Sequence, residues 1–576
     1  MVILLLASAF NSLTQRVFAE LSDRGHRVAV ELALGEESVR EALRRHVPDL
    51  VVAPMLTTAI PDDVCAARPC LVVHPGPPGD RGPSALDRAL QEGVERWGVT
   101  VLQAEAAWDA GPVWASASFT VPPGVGKSDL YRGEVADAAL EAVSTAVERF
   151  AAGGFRPTPQ PPDADGGHAV RPYLRQEERR IDWEREPTEA VLRKLRAADS
   201  RPGVRDAFLG GEWYLHGGHP EDRLHGRPGW VLATRHGAIC RATVDGAVWI
   251  PELRPARRPG GPGTYRLPAV HALGERLPPV PELPAGLWPS GGRHTRRTWT
   301  DVWYAEEGAV GFLRFSFPGG AMSTDQCRRL LAGYTFARTR PTEVLVLGGA
   351  RDFFSNGIHL GVIEAAPDPA AESWANILAM DALVEAVLTT TDRLVVAALG
   401  GNAAAGGAML ALAADEVWCR SGAVLNPHYR LMGLYGSEYW TYTLPRRVGA
   451  ARAERLTRDA LPVSAAAAER MGLVDRVLES GPGSFTADVT RLAAHLARSA
   501  GLRARIAQKK AARERDEAER PLREYRNAEL ERMRRTFQDP GAPYHALRRA
   551  FVTRERPVRT PEHLTARFTR HRVSEL

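Results

Sequence analysis

Lysine is nearly missing from this 576-residue chain. Among 74 basic residues only Lys127, Lys194, Lys509 and Lys510 are lysines, and arginine supplies the rest. The arginines are dispersed among 69 acidic residues, leaving a net charge of +5. No basic stripe of the kind that neutralises a phosphate backbone emerges, so nucleic acid is not an expected partner. Cysteine is scarce as well. Cys65, Cys70, Cys240, Cys327 and Cys419 are odd in number and lack metal-ligand spacing. That argues against a disulfide framework and a metal site and fits a reduced cytoplasm. No apolar run approaches the roughly 20 residues of a membrane span, so no membrane partner is expected. The apolar start, residues 1–7, has no basic lead and soon meets Asn11, Gln15 and Arg16. It reads as a buried first strand running into a helix, not as a signal peptide.

What is present is a multidomain α/β chain, too long for one core. Short apolar runs alternate with helical patterns in residues 1–160, predicting strands at 2–6, 28–32, 50–53, 70–74 and 99–103 and a parallel, helix-flanked sheet. A proline-rich linker, 157–162 ending in Gly166-Gly167, separates this unit from residues 168–280, where Gly-spaced runs predict a small β-rich domain. Pro and Gly dominate 278–292, marking the next boundary. A second β/α unit is expected over 295–486, then a charged helical extension over 487–576. Within it, 509–535 is dense in Arg and Glu and reads as a solvated amphipathic helix.

Two glycine-punctuated motif sets stand in the two halves. The first is His74-Pro75-Gly76-Pro77-Pro78-Gly79-Asp80-Arg81-Gly82-Pro83-Ser84, followed by Asp109-Ala110-Gly111. It resembles the active site of the folate-dependent formyltransferases, and the resemblance extends through the Arg180–Trp183 segment to about residue 280. By that resemblance the first unit is a Rossmann-like folate domain and the second the formyltransferase C-terminal domain. It also implies that His74 moves protons, that Asp109 fixes its imidazole, and that Arg81, Gly82 and Ser84 lie at the folate. One position departs from the pattern. Val72 stands where these enzymes carry an Asn, and Gln15, at the opening of the first helix, is the candidate replacement.

The second set is Phe354-Ser355-Asn356-Gly357-Ile358-His359 with Ala405-Gly406-Gly407-Ala408. It resembles the oxyanion hole of the crotonase (enoyl-CoA hydratase/isomerase) family. The resemblance implies that the Ile358 and Gly406 N–H groups meet a thioester oxygen, with Gly357 and Gly407 beside coenzyme A. Arg554, in a segment similar to the crotonase C-terminal helix, would then pair with a CoA phosphate. Hydratases carry two glutamates; here Met409 and His428 stand in those places, so hydration of an enoyl-CoA is not expected. Tyr429, Glu438 and Tyr439 form a polar cluster downstream.

Both halves in this order are similar to a hydrogenase-maturation family. That implies transfer of formyl from 10-formyl-tetrahydrofolate to coenzyme A and breakdown of formyl-CoA to carbon monoxide and CoA, in a cytoplasmic enzyme. The carbon monoxide would serve a nickel–iron hydrogenase, whose other maturation proteins are the implied partners. Glu438 and Tyr429 are the expected base and acid, in either assignment. A fused hydrolase that releases formate, and a catalytically inactive folate- and CoA-binding scaffold, stay open as alternatives.

Overall fold

The computed structural model describes residues 1–160, 170–287 and 297–565. Parts of the expected linker (161–169), of the boundary (288–292) and of the terminal extension (566–576) lie outside the described residues. The first unit is a six-stranded sheet of β1 (Val2–Ala7), β2 (Arg27–Leu32), β3 (Leu50–Ala53), β4 (Cys70–His74), β5 (Arg96–Gln103) and β6 (Val113–Thr120), in the order β2-β1-β3-β4-β5-β6. Residues Ile3 to Ala7 are fully buried, as a continuous apolar run covered on both faces requires. The expected parallel sheet holds only for β1 to β4. β5 runs antiparallel to β4, and β6 antiparallel to β5. The β5–β6 connection, residues 104–112, is too short for a crossover, which takes a dozen or more residues. β4 ends on His74, and Asn11 opens the helix Ser12–Asp23 by accepting the Thr14 N–H (3.0 Å).

The second unit packs the helix Thr188–Ala197 against two four-stranded antiparallel sheets. The third has a six-stranded sheet whose strands follow the order Val302–Glu307, Val310–Phe315, Val344–Gly348, Leu394–Leu399, Glu416–Arg420 and Arg476–Leu478. All pairs but the first are parallel. The charged segment expected to be one solvated helix is two, Leu502–Glu519 and Leu522–Gln538, broken at Pro521. The second is not solvated all round. It buries Leu522, Glu529, Leu530, Met533 and Phe537 against the third unit, because its apolar residues recur at helical spacing beneath the charges. No helix among the described residues is long and apolar enough to cross a membrane.

The first and third units dock through ion pairs. Asp137 lies between Arg16 and Arg420, and the Arg420 guanidinium reaches both its oxygens at 3.0 and 3.1 Å. Arg132 pairs with Asp352 (2.6 Å) and Arg351 with Glu134 (2.8 Å). Replacing Asp137 by Ala should leave two sheltered guanidiniums facing each other and cost roughly 3 kcal/mol. The loss should show as an earlier first transition in urea; an unmoved transition would mean that the seam is held by other contacts.

Candidate functional site

His74 sits at the carboxyl end of β4, 4% exposed, between two carboxylates. Its Nε2 meets Asp80 Oδ2 at 2.7 Å and its Nδ1 stands 3.5 Å from Asp109 Oδ2. Gly76 lets the loop fold over this pair: a Cβ there would lie 2.3 Å from Asp80 Oδ2 and 2.5 Å from His74 Nε2. Trp97 Nε1 and Thr100 Oγ1 anchor the loop by donating to the Pro75 and Gly76 carbonyls, each at 2.8 Å. Asp109 also accepts the Gly82 N–H (3.1 Å). Gln160 ties the two loops together, accepting the Gly79 N–H (2.9 Å) and donating to the Asp109 and Gly111 carbonyls (2.7 and 2.8 Å). Arg81 lies near enough to Asp109 to favour its charge, while the Ser84 hydroxyl accepts from Leu174 N–H in the second unit (3.4 Å). Val72 packs into an apolar cluster with Cys70 and Ala53.

Burial opposes a charge on His74, but Asp109 and Asp80 outweigh it and raise its pKa to about 9. Burial would likewise raise Asp109, yet His74 and the Gly82 N–H hold it below the usual carboxylate range. At neutral pH the ring therefore rests as an imidazolium, able to polarise a carbonyl and to give a proton, with two carboxylates at hand to take one. Asp80 and Gln160 were not assigned from the sequence. Asp80 lies inside the motif itself; Gln160 gave no signal, sitting alone in a proline-rich stretch.

The second motif set converges in the third unit. Gly357 has φ +82°, and a Cβ on it would stand 3.2 Å from Gly406 N, so the loop of Ile358 and the helix opening at Gly406 are in contact. Among the described residues neither the Ile358 nor the Gly406 N–H meets a protein acceptor. A Cβ on Gly407 would strike the Ser355 carbonyl oxygen at 2.2 Å, so that glycine serves close packing of helix on loop. Glu438 lies directly over this point: a Cβ on Gly406 would be 2.8 Å from Glu438 Oε1. Its Oε2 accepts the Tyr429 hydroxyl at 2.7 Å. Both are buried. Burial lifts the Glu438 carboxyl against the Tyr429 and Ser437 hydrogen bonds, and burial with the Glu438 charge lifts the Tyr429 phenol. Met409 is core, and Tyr439 is packed in the same cluster instead of on the cavity wall.

Glu438, Tyr429, Ile358 and Gly406 line a mainly apolar cavity of about 460 Å³. Its far wall comes from the first unit, with Phe10, Ser12, Gln15 and Leu32. Gln15 thus faces the shared cavity, its amide donating to the Phe10 carbonyl (3.0 Å), and no described contact joins it to His74. His428 also lines the cavity; burial and the neighbouring His563 push it down to about 4, and its Nδ1 has no hydrogen-bond partner among the described residues. Away from the cavity, Arg554 stands by Arg201, Arg266 and Arg254, and burial with those like charges lowers it to about 10.

Three family models match: formyl transferase over residues 9–147, formyl transferase C-terminal domain over 173–260, and enoyl-CoA hydratase/isomerase over 318–549. The hydrogenase maturation factor HoxX of Bradyrhizobium diazoefficiens is 48% identical over 562 residues, covering 97% of this chain and 96% of its own. The chain belongs to the HoxX/HypX family. The crystal structure of HypX from Aquifex aeolicus in complex with tetrahydrofolic acid matches with a TM-score of 0.93 at 43% identity, over 98% of each chain. A methionyl-tRNA formyltransferase of Xylella fastidiosa is similar over the front of the chain, at 32% identity across 247 residues, 41% of this chain and 76% of its own. The family's formyltransferase-like and crotonase-like domains support enzymatic activity in a hydrogenase maturation factor.

The raised pKa of His74 fixes a sign. The folded value, about 9, exceeds the ordinary 6.5, so the stabilisation it brings is complete below about pH 6.5 and fades as pH rises through about 9. In an NMR titration the His74 ring should titrate near 9 and fall toward 6.5 in Asp109→Asn. A ring that titrates near 6.5 in the parent protein would refute the charged resting state.

Proposed function

We propose that this chain takes formyl from 10-formyl-tetrahydrofolate, passes it to coenzyme A, and releases it as carbon monoxide for nickel–iron hydrogenase maturation. One observation carries the reading: the cavity at Glu438 is walled by both halves, with Gln15 from the formyltransferase-like unit and Tyr429 from the crotonase-like unit. Folate at the first site is supported by the tetrahydrofolic acid complex of the Aquifex aeolicus relative.

Coenzyme A fits what the chain offers. The two unspent N–H groups of Ile358 and Gly406 suit a thioester oxygen. The mutually repelling Arg554, Arg201, Arg254 and Arg266 suit its phosphates. The unpartnered His428 Nδ1 and the Gln15 side chain suit the polar groups of its arm.

In the first half, the His74 imidazolium polarises the formyl carbonyl, supplying what the missing Asn at Val72 would. Asp109 or Asp80 takes the thiol proton, since a thiolate is far the better nucleophile. His74 then protonates the departing folate nitrogen. In the second half, formyl-CoA has no α-carbon, so enolate chemistry is closed to it. The formyl proton leaves to a base, the carbon–sulfur bond breaks with its electrons going to sulfur, and sulfur gains a proton. Glu438 is the base in the assignment we favour, because its carboxyl lies against Gly406, and Tyr429 relays the proton back.

With folate carrying labelled formyl, the headspace should contain labelled carbon monoxide, with CoA needed only in catalytic amounts. His74→Ala should slow formyl transfer by roughly 10²–10⁴-fold, and Glu438→Gln should transfer formyl but release no carbon monoxide. Labelled formate would mean a hydrolase, and no turnover of either kind a scaffold. With crotonyl-CoA no hydration should be seen, because Met409 is buried in the core and His428 cannot replace a carboxylate; ordinary turnover of roughly 1–10³ s⁻¹ would overturn the second-site assignment.

A further inference from the structure

Two acids that this chemistry does not use hold the turn that carries Glu438. Glu438 and Tyr439 both have left-handed backbone, φ +61° and +58°, which is disfavoured for any residue with a Cβ. The turn persists because N–H groups at the start of the helix Trp440–Val448 close onto carboxylates from other helices. Glu438 N–H donates to Asp381 Oδ1 (2.8 Å) on the helix Pro369–Leu388. Tyr439 N–H donates to Glu529 Oε2 (2.9 Å), and Thr441 N–H and hydroxyl to Glu529 Oε1 (2.8 and 2.5 Å).

Asp381 is 0% exposed, and its Oδ2 has no hydrogen-bond partner among the described residues. Arg526 Nε, also without one, stands 3.5 Å away. An amide at 381 would accept the same N–H group, so Asp381 adds a charge or a proton, not a hydrogen bond. Glu529 accepts through both of its oxygens, which an amide cannot do. Such groups are rare in an apolar core and cluster where proton affinity matters.

We propose that Asp381 and Glu529 are positioning residues for the reaction at Glu438. They lock the left-handed turn that sets its carboxyl over Gly406, and together with it they form one buried acid cluster. The inference rests on the role given to Glu438 above. The groups that face this cluster are Tyr429 and Tyr439 from its own loop, Asp381 and Glu385 from the long helix, and Arg526 and Glu529 from the helix Leu522–Gln538. Cys327 faces it from the helix Thr324–Arg338, and His428 and His563 from the cavity. Burial, then the Glu438 and Glu529 charges, drive Asp381 well above the usual carboxylate range, and burial lifts Glu529 to about 7 against its Thr441 hydrogen bonds. The cluster thus keeps protons near neutral pH and titrates as a group. Removing one acid should let those that remain release their protons at lower pH; removing the cation should do the reverse.

The test uses the full-length protein and two readouts. Infrared difference spectra against pH follow the C=O band of buried protonated carboxyls, without substrate. Carbon monoxide release from formyl-CoA gives a pH profile. Asp381→Asn should move the band's midpoint and the limb of the profile down by about one pH unit. Arg526→Gln should move them up. Glu438→Gln, which should release no carbon monoxide, should remove part of the band. If Asp381→Asn does not fold, the upward shift in Arg526→Gln carries the test. Movement of both in one direction, or slower turnover with unmoved midpoints, would reduce Asp381 to a structural prop and overturn the proposal. If the parent protein releases no carbon monoxide, the role of Glu438 falls, while the infrared arm still decides whether the cluster exists.

Discussion

The docking of Asp137 between Arg16 and Arg420 is the contact on which the rest of this molecule depends. The cavity at Glu438 has no complete wall within either half. Phe10, just ahead of the first helix, and Ser12 and Gln15 on it close it, and the same helix carries Arg16. Apolar packing alone tolerates sliding. A carboxylate held between two sheltered guanidiniums does not, because sliding would leave those charges buried and unpaired. The flanking Arg132–Asp352 and Arg351–Glu134 pairs repeat the device along the seam.

The two sites reach opposite electrostatic states from the same kinds of residue. At the first, one imidazole lies between two carboxylates, and attraction outweighs burial, so the ring stays charged. At the second, carboxyls outnumber the cations near them. Glu438, Asp381 and Glu529 share a buried region with Arg526 at its edge, and burial joins repulsion to favour the protonated forms. Under the function we propose, a charged imidazolium suits a carbonyl that gains negative charge, and a carboxyl of raised proton affinity, once ionised, suits removal of a weakly acidic formyl proton.

Much of this was legible along the chain. Strands β3 and β4 matched their expected bounds, because uninterrupted Val-rich runs between turn residues leave little choice. His74, Asp109, Gly357 and Gly406 stood out because glycine and proline mark where backbone must come close. The antiparallel β5 and β6 were not legible, since an apolar run carries no strand direction. Nor was the burial of the helix Leu522–Gln538, whose charges hid a narrow apolar stripe.

The sequence by itself determined the two enzyme halves, their order, and the residues at the turns, because those follow from local backbone demands and side-chain chemistry. Tertiary structure decided which groups share a proton. Asp80 became a partner of His74 only when the loop folded back at Gly76, and Asp381 reached Glu438, and Glu529 its neighbour Tyr439, from helices lying 57 and 90 residues away in the chain. It also placed Gln15, the candidate replacement for the Asn absent at Val72, in the wall of a shared cavity. Proton affinity depends on burial and on distances between groups far apart in sequence, and those exist only once the chain has packed.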